Sequence, residues 1–217
     1  MPRTAEDGFS RGGRLVWRTV PPLARLLFGV AFDFRREGHE RIPPGPVVFA
    51  ANHFSHLDPV ILGATVDRPV RYLAVDELYG KTAFFDRLTV WLGAIPMSRT
   101  RAPLGALRVA LDELASGGSV GLFPEGVRVW TWGEVGPKRG AAWLARRSGT
   151  PLVPVAIFGT DDAMGRGQFR IDRRPLSSFV CEPIHPADHE DAEDPLASMV
   201  ATWEERIDAG LARLRSR

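Results

Sequence analysis

Short apolar runs alternate along this chain with segments in which apolar residues recur every three or four positions. The runs predict strands, because four to eight consecutive apolar residues between turn residues are typical of buried strands. The predicted strands are residues 46–51, 70–75, 94–98, 119–123 and 152–158. Strands that alternate with helices indicate an α/β fold, with a largely parallel central sheet flanked by helices on both faces.

Three segments have the periodicity of amphipathic helices. Residues 104–116 carry leucines at spacings of three and four and stop at Gly117, and residues 138–148 stop at Gly149. The last helix is predicted to begin at Asp194-Pro195, because aspartate is a good N-cap and proline suits the first helical turn. Its apolar stripe comprises Leu196, Met199, Trp203, Ile207, Leu211 and Leu214.

Residues 1–34 differ from the rest and are predicted to form two short amphipathic helices, separated by the helix-breaking pair Pro21-Pro22. One face carries arginines within about a 60° arc at 100° per residue, namely Arg11, Arg14, Arg18 and Arg25. Apolar residues cluster about opposite, namely Leu15, Val16, Val20, Leu23, Leu26, Leu27 and Val30, with Trp17 and Phe28 toward the boundary. These helices either pack on the protein's own sheet or lie at a membrane interface with the arginines at anionic headgroups.

Composition restricts the number of domains, the partners and the compartment that the sequence suggests. A length of 217 residues favours one domain of moderate size, and a net charge of +2 is too small to argue for a nucleic-acid partner. Lys81 and Lys138 are the only lysines, and arginine suits planar contact with phosphate or carboxylate, although a general compositional bias toward arginine would look the same. Cys181 stands alone, which predicts a reducing compartment and a small buried residue. The N-terminus has no signal-peptide pattern, and no apolar run approaches a spanning helix.

Polar residues follow the first predicted strand directly, in the stretch Asn52-His53-Phe54-Ser55-His56-Leu57-Asp58-Pro59. Asp58-Pro59 suits a helix start, and Ser55 with Asp58 has capping-box spacing. A metal site formed by His53, His56 and Asp58 is a second interpretation, weakened by the absence of a further histidine where such a site needs one. In the third interpretation His53 is a general base and Asp58 folds back to orient it. A nucleophilic role for Ser55 is disfavoured, because the small residues that flank the catalytic serine in the nucleophile elbow of hydrolases are absent here.

Several blocks together make the chain resemble a known family. Asn52-His53 followed by Asp58 is similar to the NHxxxxD motif of the glycerolipid acyltransferases, the family of 1-acylglycerol-3-phosphate acyltransferase. The other resembling blocks follow in the family's order: residues 93–99 (GAIPMSR), 123–128 (FPEGVR), 138–142 (KRGAA) and 153–156 (VPVA). The resemblance covers roughly residues 35–185 and makes residues 35–217 the expected acyltransferase domain.

The resemblance implies a role for each matched residue. His53 takes the proton from an acceptor hydroxyl while Asp58 holds its ring, and the hydroxyl attacks an acyl thioester of coenzyme A or acyl carrier protein. The implied acceptor and phosphate site consists of Arg99, Glu125, Gly126 and Arg128. Asn52, Ser55 and Lys138 are secondary candidates. Neither a cofactor nor a metal is expected, and the oxyanion donors are N–H groups either at the start of the helix after Asp58 or around Gly126.

Two departures from the family pattern concern the acceptor. Val127 stands where the family usually has Thr or Ser, and Val129-Trp130-Thr131-Trp132 replaces a more polar stretch. The two tryptophans are either interfacial anchors or core residues, with core favoured for one of them. These changes leave the His–Asp chemistry intact but allow a different headgroup.

The sequence therefore predicts an acyltransferase that esterifies a lysophospholipid, chiefly lysophosphatidic acid to phosphatidic acid, at the cytoplasmic face of a membrane to which it is peripheral. One alternative is the same chemistry on a glycolipid or another lysophospholipid. A catalytically silent lipid-binding protein and a metal hydrolase are alternatives from other classes.

Overall fold

The computed structural model describes residues 11–75, 93–97, 104–165, 167 and 170–216. Within them, seven strands form one sheet. The strands are β1 (Arg35–Glu37), β2 (Val47–Ala51), β3 (Arg71–Val75), β4 (Ile95–Met97), β5 (Ser119–Leu122), β6 (Leu152–Phe158) and β7 (Ser177–Val180).

The strand order is β1-β7-β6-β2-β5-β3-β4. All neighbouring pairs are parallel except β6 and β7, which run antiparallel with Val155 opposite Val180. In the centre, β2 lies between β5 and β6, with Phe49 opposite both Gly121 and Val153. The carboxyl ends of β2, β5 and β6 therefore meet at one edge of the sheet, where ligand sites of open α/β sheets are found.

The described helices are α1 (Arg11–Phe32), α2 (Asp58–Val66), α3 (Leu104–Ala115), α4 (Gly140–Ser148), α5 (Thr160–Met164) and α6 (Pro195–Arg215). Short 3₁₀ turns occur at His39–Arg41 and Pro186–His189. As predicted, Asp194 caps α6, since its Oδ1 accepts a hydrogen bond from the N–H of Ala197 at 3.0 Å.

Helices cover both faces of the sheet, as predicted for a largely parallel sheet. Side chains alternate along β2, so that Val48 and Ala50 join the cluster under α3, α4 and α6. Val47, Phe49 and Ala51 join the cluster under α1 and α2. The fully buried run of β2 follows from this double coverage, because neither face meets water.

The predicted break at Pro21-Pro22 is wrong, because α1 continues through both prolines. Proline removes a backbone donor, but its fixed φ suits a helix. A helix that is packed against the protein both before and after the pair can therefore continue through it. That packing comes from Trp17, which is buried against Gly63 of α2 and stacks on Tyr72 at 6.3 Å, and from Ala24, which is buried as well. The side chains of residues 11–16 lie outside the described part of the structure.

The apolar stripe of α1 does not face the core. Val20, Leu23, Leu26, Leu27 and Val30 are exposed, with Val30 at 72% and Leu26 at 65% of full exposure. At 100° per residue they span about a 120° arc, whose centre lies about 110° around the helix from Trp17 and Ala24. Among the described helices, none is long and apolar enough to cross a membrane.

Candidate active site

The site begins where β2 ends. Asn52 follows the last residue of the strand and is fully buried. Its side-chain amide donates to the carbonyl of Ile157 at 2.9 Å and accepts from the N–H of Ile157 at 2.8 Å. Asn52 thus continues the pairing of β2 with β6 through its side chain, and the main chain is free to turn at His53.

The turn after His53 folds Asp58 back toward the strand end. Asp58 is the first residue of α2, and its Oδ2 accepts hydrogen bonds from the N–H groups of Phe54 and Ser55, both at 2.7 Å. The same oxygen accepts from Nδ1 of His53 at 2.8 Å. The predicted meeting of His53 and Asp58 across five positions is therefore present. Asp58 does not cap α2, because the cap position is Leu57.

The other carboxylate oxygen of Asp58 is held from the helix that follows β6. The hydroxyl of Thr160, at the start of α5, donates to Oδ1 at 2.6 Å. With the bonds to Oδ2, four donors compensate for the complete removal of Asp58 from water. A buried carboxylate with this many partners is fixed in position, so it fixes the ring that it binds.

One face of the His53 imidazole packs against an aromatic ring, and one ring nitrogen, Nε2, is left for a substrate. It stacks on Phe123 at 4.1 Å between ring centres, and its side chain retains 17% exposure. In the neutral ring that donates from Nδ1–H to Asp58, Nε2 is the nitrogen without a proton. No hydrogen bond to Nε2 exists among the residues that the structure describes. His53 can therefore accept a proton at Nε2 from a group brought to the site.

Ser55 supports the turn. Its hydroxyl donates to the carbonyl of Met164 in α5 at 2.5 Å and accepts from the N–H of Leu57 at 3.1 Å. The residue is fully buried. The hydroxyl is committed to these two bonds and ties the turn to α5.

Glu125 lies three residues after the end of β5, beside His53. Its Oε1 accepts from the backbone N–H of His53 at 3.0 Å, while Oε2 is buried and has no partner within the described residues. Burial raises the pKa of Glu125 from 4.5 to about 7; its own N–H and that of His53 act in the opposite direction, and the Asp58 charge adds to the rise. A carboxyl group with a pKa near neutrality next to the candidate base is typical of functional sites.

A tight turn follows Glu125. Gly126 has φ +69°, which suits glycine, and its N–H donates to the carbonyl of Phe123 at 2.9 Å. A Cβ at Gly126 would lie 2.8 Å from Nζ of Lys138, so the lysine side chain crosses directly over this turn. The turn returns to the site, because the N–H of Val129 donates to the carbonyl of His53 at 2.9 Å.

The structure brings together some of the predicted site residues but not all of them. The structure brings His53, Asp58 and Glu125 into direct contact, with Gly126 and Lys138 adjoining them. Arg128 is half-buried two residues after Gly126 in the same turn. Arg99 lies outside the described residues.

Thr160 and Phe123 are site residues that the sequence reasoning missed. Phe123 belongs to a block that was recognised, but the pattern does not show that its ring packs on the imidazole. Thr160 had a usable signal, because it is a polar residue just after β6, at the same sheet edge as His53.

The two departures from the family pattern fall in different surroundings. Val127 is partly buried and packs against the cluster under α3, α4 and α6. Trp132 packs on Trp203 at 5.6 Å, whereas Trp130 is 58% exposed. One tryptophan is therefore packed on the core and the other lies at the surface.

Within the described ranges, no group of three or more histidine, cysteine, aspartate or glutamate side chains is arranged to hold a metal ion. Cys181 is buried, and burial raises the pKa of its thiol to about 12. The predicted small buried role of Cys181 is confirmed.

Comparison with known proteins gives a consistent result. Residues 33–158 match the family model described as Acyltransferase. The 1-acyl-sn-glycerol-3-phosphate acyltransferase of Bacillus subtilis is 29% identical over 163 residues, covering 74% of this chain and 78% of that protein. The protein of the same name from Pseudomonas aeruginosa is 29% identical over 197 residues, covering 86% of this chain and 70% of its own length.

Other relatives are longer. A 1-acyl-sn-glycerol-3-phosphate acyltransferase of Chlamydomonas reinhardtii is 34% identical over 140 residues, and the match spans only 40% of that protein. The crystal structure of the 1-acyl-sn-glycerophosphate acyltransferase of Thermotoga maritima has a TM-score of 0.77 with 24% identity, covering 94% of this chain and 82% of that one. At that identity the likeness shows a shared fold.

Proposed function

Because the chain is an enzyme of the acyltransferase family, we propose that it moves a fatty acyl group from an acyl thioester to the free hydroxyl of a lysophospholipid. The donor is acyl-CoA or acyl carrier protein, and the acceptor is 1-acylglycerol-3-phosphate, which becomes phosphatidic acid. The observation that carries the proposal is the 2.8 Å bond between Nδ1 of His53 and Oδ2 of Asp58, with Asp58 held by three further donors.

The proposed reaction uses both nitrogens of His53. Nδ1–H stays bonded to Asp58, and Nε2 takes the proton of the acceptor hydroxyl as its oxygen attacks the thioester carbonyl. The tetrahedral intermediate collapses, the C–S bond breaks, and the departing sulfur receives the proton from Nε2. The products are an ester and a free thiol, and the ring returns to its starting state. General-base assistance of this kind contributes roughly 10²–10⁴-fold in rate.

The intermediate needs a donor for its oxyanion. The N–H groups of Phe54, Ser55 and Gly126 are already bonded within the protein. The N–H of Val127 donates to no acceptor among the described residues. Val127 N–H, in the turn beside His53, is therefore our candidate for the oxyanion donor.

The acceptor phosphate is assigned to Arg128 and Arg99, with Lys138 next to the same turn. Arginine forms bidentate, charge-assisted bonds to phosphate, and Lys138 adds a positive charge over Gly126. Val127 replaces a hydroxyl residue and packs on the core, so it offers no side-chain donor to the headgroup. This observation favours a second candidate acceptor, a glycolipid or another lysophospholipid, with the same chemistry.

The substrates also demand contact with a membrane. Each methylene of an acyl chain costs about 0.8 kcal/mol to expose to water, so long chains are delivered from a bilayer. We assign this contact to α1, whose exposed apolar face carries Leu23, Leu26 and Val30. The proposed location is the cytoplasmic face of the membrane, with the protein bound peripherally through this contact.

The proposal is tested with His53→Ala and the matched exposed control His39→Ala. Purified proteins are incubated with mixed lysolipids and acyl-CoAs, and lipid products are measured by mass spectrometry. His53→Ala is expected to lose transfer by at least about 10²-fold while His39→Ala retains it. Near-normal turnover in His53→Ala refutes the assignment. Lysolipid binding with no ester formed by the unmodified protein would instead support a non-catalytic lipid-binding role.

A further inference from the structure

A short basic segment lies beside the carboxyl end of α1. Residues 170–174 read Arg-Ile-Asp-Arg-Arg, and all five are exposed. Ile171 keeps 48% of its full exposure, although an isoleucine is ordinarily buried. The exposed isoleucine among arginines combines an apolar group with positive charge, as interfacial segments do.

The segment is held on two sides. The N–H of Asp172 donates to the carbonyl of Ala163 in α5 at 2.8 Å. The guanidinium of Arg173 donates to the carbonyl of Val30 in α1 at 3.1 Å. Because carbonyls near a helix end lack internal partners, Arg173 also satisfies the end of α1. The apolar face of α1 and the basic segment are thus joined at Val30, which is itself 72% exposed.

The arginines of the segment retain their charge for an outside partner. Arg170 pairs with Asp172 at 3.4 Å, but the side chain of Arg170 is 90% exposed, and exposed pairs contribute little. Arg174 forms no hydrogen bond or ion pair within the described residues. It lines a 410 Å³ cleft with Arg35 and Arg215, but Asp33, Glu37 and Asp162 line the cleft as well. The positive excess is therefore on the outer segment rather than in the cleft.

From these contacts we infer that residues 170–174 are a second membrane-docking element, which binds an anionic bilayer surface together with α1. Ile171 enters the interface beside Leu26, Leu27 and Val30, and Arg170 and Arg174 contact anionic headgroups. The inference rests on the membrane contact proposed for α1 and adds a second point of attachment. Two points hold the rotation of the protein about the α1 axis more firmly than the apolar face of α1 does alone.

The segment is also linked to the catalytic residues. It bonds to α5 through Asp172, and α5 supplies Thr160 to Asp58 and the carbonyl of Met164 to Ser55. A bilayer bound by this segment is therefore one short helix away from the His53–Asp58 pair. This placement suits an enzyme whose acceptor is embedded in the surface.

The test is co-sedimentation of the full chain, without substrates, with vesicles of phosphatidylcholine alone and with added phosphatidylglycerol. The variants are Arg170→Gln/Arg174→Gln, Ile171→Asp and, for α1, Leu26→Asp/Leu27→Asp. Matched controls are Arg147→Gln, at an exposed position of α4, and Leu104→Asp, where Leu104 of α3 is 72% exposed on the other face of the sheet. Circular dichroism melting checks that each variant is folded.

Removal of one arginine near an anionic surface is expected to weaken binding about fivefold, so the double variant weakens binding to anionic vesicles roughly 25-fold. Its binding to neutral vesicles changes little, and Ile171→Asp weakens both. The controls bind as the unmodified protein does. If only the α1 variant loses binding to vesicles while the segment variants bind as the unmodified protein does, the inference is overturned. Vesicle binding by His53→Ala separates this outcome from a failure of the catalytic proposal.

Discussion

Replacement of Glu125 by glutamine is expected to change how stability depends on pH. The carboxyl group is buried beside His53, with Oε1 bonded to a backbone N–H and Oε2 without a partner among described residues. Burial raises its pKa from 4.5 to about 7. Between these values the unfolded chain has released the proton while the folded protein keeps it, so the free energy of unfolding falls as pH rises. Above about 7 both states are ionised and the effect is constant.

The magnitude follows from the two pKa values. Each pKa unit corresponds to about 1.4 kcal/mol, so the difference between 4.5 and about 7 amounts to about 3 kcal/mol. Glu125→Gln has no ionisable group at this position and does not lose this stability. The unfolding free energy of the variant minus that of the unmodified protein is therefore expected to rise by about 3 kcal/mol between pH 4.5 and 8. A constant offset accompanies it, because the glutamine amide has no partner where Oε2 lies.

The assay is urea unfolding followed by tryptophan fluorescence at half-unit steps of pH. Glu205→Gln, on the exposed side of α6, reports the effect of losing a surface carboxylate. A difference curve for Glu125→Gln that stays flat, or that falls with pH, would mean that the carboxyl group is not held uncharged in the folded protein at mildly acidic pH.

Two further substitutions test the support of the site. Asn52→Ala leaves the N–H and carbonyl of Ile157 without their partners, so we expect about 2–5 kcal/mol lower unfolding free energy in urea; loss below about 1 kcal/mol contradicts this. Thr160→Val removes the donor to Asp58 and is expected to lower kcat about tenfold with little change in KM, with recovery in Thr160→Ser; equal losses in both variants contradict a positioning role.

The sheet could be predicted because its central strands are apolar on both faces. β2, β3, β5 and β6 lie within one residue of their predicted bounds, since double burial leaves a continuous apolar run. β1 was missed because Arg-Arg-Glu carries no apolar pattern and pairs through its backbone with β7. β7 was not among the predicted strands, and its antiparallel direction depends on the path of the preceding connection, which no local pattern specifies.

The error at Pro21-Pro22 has a tertiary cause. The rule that proline breaks a helix considers the lost backbone hydrogen bonds and takes no account of tertiary packing. Here the burial of Trp17 before the pair and of Ala24 after it holds both halves on one line. Which face of α1 is packed could not be predicted, because apolar residues occur on both sides and only the structure separates Trp17 from Leu26.

Part of the candidate site could be predicted from the sequence and part could not. The contact between His53 and Asp58 was predicted from a strand–turn–helix start and from the family resemblance. The burial of Glu125 was not predicted, because its pattern equally suits a carboxylate that faces a substrate. Its contact with the His53 N–H depends on the alignment of β2 with β5, where Ala50 lies opposite Leu122, and no local pattern records that alignment.

The stacking of His53 on Phe123 has a consequence for the order of events. With one ring face covered and Nδ1 engaged, a single atom, Nε2, must serve first the incoming oxygen and then the outgoing sulfur. Both co-substrates must then occupy the enzyme at the same time, on the same side of the ring. Kinetics of the ternary-complex type, with intersecting double-reciprocal lines, are the natural outcome of a base that cannot turn around.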